Sequence, residues 1–128
     1  MSAEVIRIDE IELGAPVGAD KSSPEFIELE PTEVHQRIAC GRSIIVDVRE
    51  ASEYENIRIP GAFLMPLSFF DAEHFPVISG TEVILMCAVG KRSAAAAKQL
   101  MNAGFEKVIH MKGGINQWRK DGLPIEEE

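Results

Sequence analysis

The sequence predicts an α/β fold with a mainly parallel central sheet of about five strands, flanked by helices. Two observations lead there. Ser43-Ile44-Ile45-Val46-Asp47-Val48 and Thr81-Glu82-Val83-Ile84-Leu85-Met86 are near-continuous apolar runs rich in β-branched residues, the pattern of strands covered on both faces. Strand-like and helix-like segments also alternate along the chain, which is how parallel strands are joined by crossover helices.

Each element has its own signal. Residues 1–24 hold Gly14, Pro16, Gly18 and Pro24 without sustained periodicity, and are predicted to be a flexible N-terminal extension; the alternative is a short docked strand containing Ile6, Ile8, Ile11 and Leu13. The domain proper is residues 25–128. Phe26-Ile27-Glu28-Leu29 forms a short strand. Pro31 opens a helix over residues 32–39, with Val34 and Ile38 at helical spacing and Gly41 as its stop. A short helix over 51–56 and the turn Ile59-Pro60-Gly61-Ala62 follow the first buried strand. Residues 63–67 form a further strand, and 67–74 mixed helix and loop. The second buried strand runs into Cys87-Ala88-Val89-Gly90-Lys91-Arg92-Ser93. A high-propensity helix then extends from about residue 93 to residue 103, ended by Gly104. Lys107-Val108-Ile109-His110-Met111 is a strand, Gly113-Gly114 a turn, and residues 115–120 a helix that buries Trp118.

At 128 residues, 45% hydrophobic and 27% charged, the chain has the size and composition of one globular domain. It lacks the roughly 20 consecutive apolar residues of a membrane span. Its N-terminus is acidic and without a basic, then apolar, leader, so the expected location is the cytoplasm. The net charge of −8 argues against nucleic acid as a ligand. That charge is uneven. Residues 1–86 carry 6 basic and 16 acidic side chains, whereas residues 87–120 carry 7 and 1. A cationic segment suited to a small anion is thus embedded in an acidic protein.

Of the two cysteines, Cys40 reads as an inert small apolar residue, and a bridge between Cys40 and Cys87 is formally open. There is no C-x-x-C, and His35, His74 and His110 are far apart, so no metal site is expected. Cys87 is different. It ends a buried strand, where open α/β sheets bind ligands, and it precedes a glycine, two cations and a helix start. Helix-start amides, the helix dipole, Lys91 and Arg92 all favour a sulfur anion, so Cys87 is expected to be a reactive thiolate.

Residues 87–93 resemble the active-site loop of rhodanese domains, C-x-x-G-x-R-S. Three further segments agree in order. Asp47-Val48-Arg49-Glu50 with Glu53-Tyr54 is similar to D-V-R-E-x-x-E-Y, and Ile59-Pro60-Gly61-Ala62 to I-P-G-A. Gly113-Gly114 through Trp118, with Gly122-Leu123-Pro124, is similar to G-G-x-x-x-W…G-x-P. The likeness covers residues 26–125. Two positions depart from it: Ile57-Arg58 stands where the family often has His, and Ala88 where many members carry a basic or polar residue.

The resemblance implies a rhodanese-like three-layer fold and a sulfurtransferase. Cys87 would attack the outer sulfur of a small anionic donor such as thiosulfate, or of a persulfide. The resulting Cys87 persulfide would pass its sulfur to cyanide, a thiol or a sulfur-relay protein, with no metal or organic cofactor. The backbone amides of Ala88, Val89, Gly90, Lys91, Arg92 and Ser93 would cradle the persulfide, with Arg92 binding donor oxygens and Lys91 raising the local potential. Asp47 and Arg49 leave a neighbouring strand at the same sheet edge, where they either pair and brace the loop or serve as a helix-start acid and a surface arginine; His110 is taken as a strand-end residue rather than a base. Two rivals remain. A non-catalytic rhodanese-like binding module is one. Phosphatase or arsenate-reductase chemistry is the other, but it uses a C-x5-R loop where this chain has C-x4-R.

Overall fold

The computed structural model describes residues 4–7 and 24–127. Its elements run β1 (Glu4–Arg7), β2 (Glu25–Leu29), α1 (Pro31–Ala39), β3 (Ser43–Asp47), α2 (Ala51–Asn56), β4 (Ile57–Arg58) and β5 (Phe63–Leu64). After two 3-10 turns, Leu67–Phe69 and Ala72–His74, come β6 (Glu82–Met86), α3 (Lys91–Asn102), β7 (Lys107–Met111), α4 (Gly114–Lys120) and β8 (Glu126–Glu127). The main sheet has the order β1-β2-β7-β6-β3-β5. Its neighbours are parallel except β1, which pairs antiparallel with β2 at the edge. The expected α/β fold with five parallel strands is therefore present, and β1 adds a sixth. Of the residues placed in the alternative N-terminal strand, Ile6 lies in β1; Ile8, Ile11 and Leu13 lie outside the described residues.

Period-two alternation along the strands sorts side chains into two layers of core. Ile27, Leu29, Ile45, Ile84, Met86, Ile109 and Met111 face α1 and α4, packing with Val34, Ile115 and Trp118. Val46, Val48, Leu85, Cys87 and Val108 face α3, packing with Ala96, Ala97 and Leu100. Trp118 is almost wholly buried, as expected, and its Nε1 donates to the Pro124 carbonyl at 2.7 Å. Alanines at 96 and 97 let α3 lie close to the sheet, which brings its N-terminus down to the end of β6.

Three details differ from the sequence reading. Helix α3 begins at Lys91 rather than near Ser93, because Gly90 takes a left-handed conformation (φ +104°) and starts the first turn two residues earlier. The strand expected over 63–67 is only Phe63–Leu64, held parallel to the end of β3. A small ribbon of β4 and β8 links the middle of the domain to its C-terminal end, with Arg58 Nε 3.1 Å from Glu126 Oε1.

Candidate active site

Cys87 follows β6 directly and has no exposed surface. Its Sγ accepts hydrogen bonds from the Gly90 N–H at 3.1 Å and the Ser93 N–H at 3.2 Å. Ser93 is the third residue of α3, a position whose N–H has no partner within the helix. The sulfur takes that place, acting as the helix cap that Gly90 cannot supply from a side chain. Both donors therefore come from one feature, the left-handed turn at Gly90, and both favour negative charge on sulfur. Lys91 is exposed in the first turn, where it raises the positive potential around the loop.

The other side of the loop is held by α4. The carbonyls of Cys87 and Ala88 accept from the N–H groups of Ile115, at 2.8 Å, and Asn116, at 3.1 Å. The Gly113-Gly114 turn thus does more than reverse the chain. It sets the first turn of one helix against the backbone that begins the first turn of another.

Arg92 is engaged from the neighbouring helix, and charge on Cys87 is among the influences that favour its cationic form. Its guanidinium makes a bidentate pair with Glu53 of α2, Nη1 to Oε1 at 2.8 Å and Nη2 to Oε2 at 2.9 Å. The planar fork matches the carboxylate. Glu53 also accepts from the Glu50 N–H at 2.9 Å, completing a capping box at the start of α2. Asp47 and Arg49 do pair, deep in the protein, with Arg49 Nη2 2.8 Å from Asp47 Oδ2 and 2.7 Å from the Ile57 carbonyl. That pair reaches the Cys87 loop only indirectly: it fixes both ends of α2, and α2 carries Glu53.

The Arg92 bond holds Glu53 at about 2, against the ordinary 4.5. A depressed carboxylate stabilises the fold above its unfolded value and ceases to do so as the pH falls through its folded one. Glu53→Gln keeps a capping acceptor but loses the charge. In urea titrations it should be less stable than the wild type by about 0.5–1 kcal/mol at neutral pH, a partly exposed pair being screened by solvent. The difference should be constant above pH 5, shrink below it and vanish near pH 2. A difference that persists at pH 2 would exclude the ion pair as its source.

The structure also joins Ser93 and His110 to Glu28, a residue that was not singled out. Ser93 Oγ lies 2.7 Å from His110 Nδ1, and His110 Nε2 lies 2.8 Å from Glu28 Oε2. Parallel pairing of β2 and β7 places Glu28 opposite His110. A signal was present: alternation along both strands puts a polar residue on the face that otherwise packs against α3. Cys40, expected to be a buried apolar residue, is exposed at the end of α1, and both cysteines are free thiols. It caps the helix with its backbone, which leaves the side chain in water.

The family model for the rhodanese-like domain matches residues 30–121. The chain belongs to the rhodanese-like family. A sulfurtransferase of Allochromatium vinosum is 30% identical to it over 99 residues, 77% of this chain and 92% of that protein. An uncharacterized protein of Synechocystis is 35% identical over 103 residues, 80% of this chain; the chain spans 58% of that relative's length. Among solved structures, a rhodanese-related protein of Thermoplasma volcanium superposes with a TM-score of 0.66 at 25% identity, covering 79% of this chain and 98% of that one. In this rhodanese-like domain, among the described residues, no helix is long and apolar enough to cross a membrane.

Proposed function

We propose that this rhodanese-like domain is a sulfurtransferase that carries a sulfane sulfur on Cys87. The observation that supports this reading is the pair of N–H donors aimed at one cysteine sulfur at the carboxyl end of a buried strand. Such donors favour negative charge on the sulfur, the form that acts as a nucleophile. With thiosulfate as donor, Cys87 attacks the outer sulfur, an S–S bond forms on Sγ, and sulfite departs with the electron pair of the broken bond. An acceptor thiolate or cyanide then attacks the outer sulfur, and Cys87 leaves as the thiolate. The two displacements balance without a redox partner, and the shuttled sulfur makes a metal or organic cofactor unnecessary.

Lys91 and the N-terminus of α3 draw a small anionic donor towards the loop. Arg92, engaged by Glu53, acts by fixing α2 against α3. This also disfavours the phosphatase and arsenate-reductase reading, in which the loop arginine encloses an oxyanion. Because Ala88 supplies no basic or polar side chain to select the donor, a persulfide or a sulfur-relay protein is a candidate donor alongside thiosulfate.

Incubation with thiosulfate should add the mass of one sulfur atom to the peptide that carries Cys87, and cyanide should remove it as thiocyanate. A well-folded protein that gains no sulfur from thiosulfate or from glutathione persulfide would refute the reading in favour of a binding module.

A further inference from the structure

Behind the sulfur lies a line of polar side chains for which the two displacements have no use. Ser93 is completely buried, its Oγ 3.5 Å from Cys87 Sγ and 2.7 Å from His110 Nδ1. His110 Nε2 continues the line to Glu28 Oε2 at 2.8 Å. Side-chain exposure rises from 3% at His110 to 22% at Glu28, so the line leads from the sulfur towards the surface. Phe26 packs over the imidazole with ring centroids 4.8 Å apart. The rest of this face is the apolar cluster of Leu85, Val108 and the α3 alanines. A buried polar chain among such neighbours is costly unless each member is satisfied.

The partners decide where the hydrogens sit. A carboxylate only accepts, so His110 carries its hydrogen on Nε2 and offers a lone pair at Nδ1. Ser93 has one hydroxyl hydrogen and two nearby acceptors. Nδ1, at 2.7 Å, is closer than the Gly90 carbonyl at 3.3 Å. The Cys87 thiol in turn donates to Oγ. Every hydrogen in the line then points away from sulfur. Burial holds the imidazole below its ordinary range, Glu28 pulling the other way. Among the described residues, the ionisable groups that face the ring are Glu28 from β2 and, through Ser93, Cys87 from the end of β6.

We propose that Ser93, His110 and Glu28 form a proton line that takes the Cys87 thiol proton away from the sulfur as it ionises. His110 is the positioning residue that holds it, and Ser93 is the bridge. The S–H bond breaks and leaves its electron pair on sulfur. That proton binds Ser93 Oγ while the hydroxyl's own proton moves to His110 Nδ1. Nothing is oxidised or reduced, and the products are a thiolate and an imidazolium facing Glu28. The proposal rests on reading Cys87 as the nucleophile.

The test uses the full chain with Cys40→Ser, which leaves a single thiol. Titration of the His110 ring by NMR should show it keeping its charge to a pH at least about one unit higher with Cys87 present than in Cys87→Ala, because the two sites titrate together. Iodoacetamide should alkylate Cys87 about tenfold more slowly at neutral pH in His110→Gln and in Ser93→Ala, each profile moving upward by about one unit. Ser93→Ala leaves its backbone N–H on the sulfur, so it carries the kinetic arm if His110→Gln fails to fold. Coincident His110 titrations with and without Cys87 would overturn the proposal, whatever the alkylation rates. Sulfur loading of Cys87 from thiosulfate is measured separately, so the proton line and the sulfurtransferase reading can fail independently.

Discussion

Replacing Gly114 with alanine should cost both the fold and the reaction. A Cβ at this position would lie 2.3 Å from the carbonyl oxygens of Cys87 and Ala88 and 2.4 Å from the Ala88 carbonyl carbon. All three are backbone atoms, so no side-chain rotation relieves the clash. The residue also sits at φ +62°, where a side chain is disfavoured. A left-handed non-glycine residue costs about 1–2 kcal/mol and overpacking a further 1–3, so the expected loss is roughly 2–5 kcal/mol. At roughly 4 °C per kcal/mol for a domain of this size, Tm should fall by about 10 °C or more. Sulfur transfer should fall further than stability alone explains. The atoms pushed aside begin the loop that aims the Gly90 and Ser93 amides at Sγ, and about an ångström of displacement can cost about 100-fold in rate. Thiocyanate formation measured well below the variant's Tm separates the two effects. A Gly114→Ala protein with unchanged kcat would show that the loop accommodates the methyl group without moving.

The second large effect is expected at Asp47. Its carboxylate is fully buried and accepts from the Arg49 backbone N–H at 3.0 Å as well as from the guanidinium. Asp47→Ala leaves a buried arginine with the Ile57 carbonyl as its remaining partner among these bonds. Breaking a buried pair by removing one member costs about 3–5 kcal/mol, because the stranded charge is the expense. Chemical denaturation should show a loss in that range for Asp47→Ala and a smaller one when Asp47 and Arg49 are replaced together by apolar residues of similar volume. Equal losses in the two proteins would mean that packing, rather than the unpaired charge, dominates the site. The pair also anchors α2, so Asp47→Ala should loosen Glu53 and with it the grip on Arg92.

Periodicity revealed the sheet because five of its strands are parallel and most are covered on both faces, leaving unbroken apolar runs. Helix α2, expected over 51–56 between the first buried strand and the Ile59-Pro60 turn, was legible to its last residue. The start of α3 was not, since Ser93 is itself a common N-cap residue and the sulfur that accepts its N–H lies six residues upstream. Long-range partners were hidden for a different reason. Arg92 finds Glu53 across 39 residues, and His110 finds Glu28 across 82. Such pairings depend on which strands become neighbours, and strand order is not written in any local pattern. The cysteine loop stood out in the sequence because glycine, cations and helix start coincide within it. The supporting shell stood out only after folding.

The absence of solvent around Sγ has a consequence for timing. On the proposed reading, a sulfur atom carried there would be stowed beneath the surface, where dissolved reductants would meet it only as often as the neighbouring main chain breathes apart. The dwell time of the loaded form is then a property of backbone fluctuation instead of the intrinsic lability of a hydrodisulfide. Loading and unloading use the same opening, so whatever speeds one shortens the shelf-life of the other.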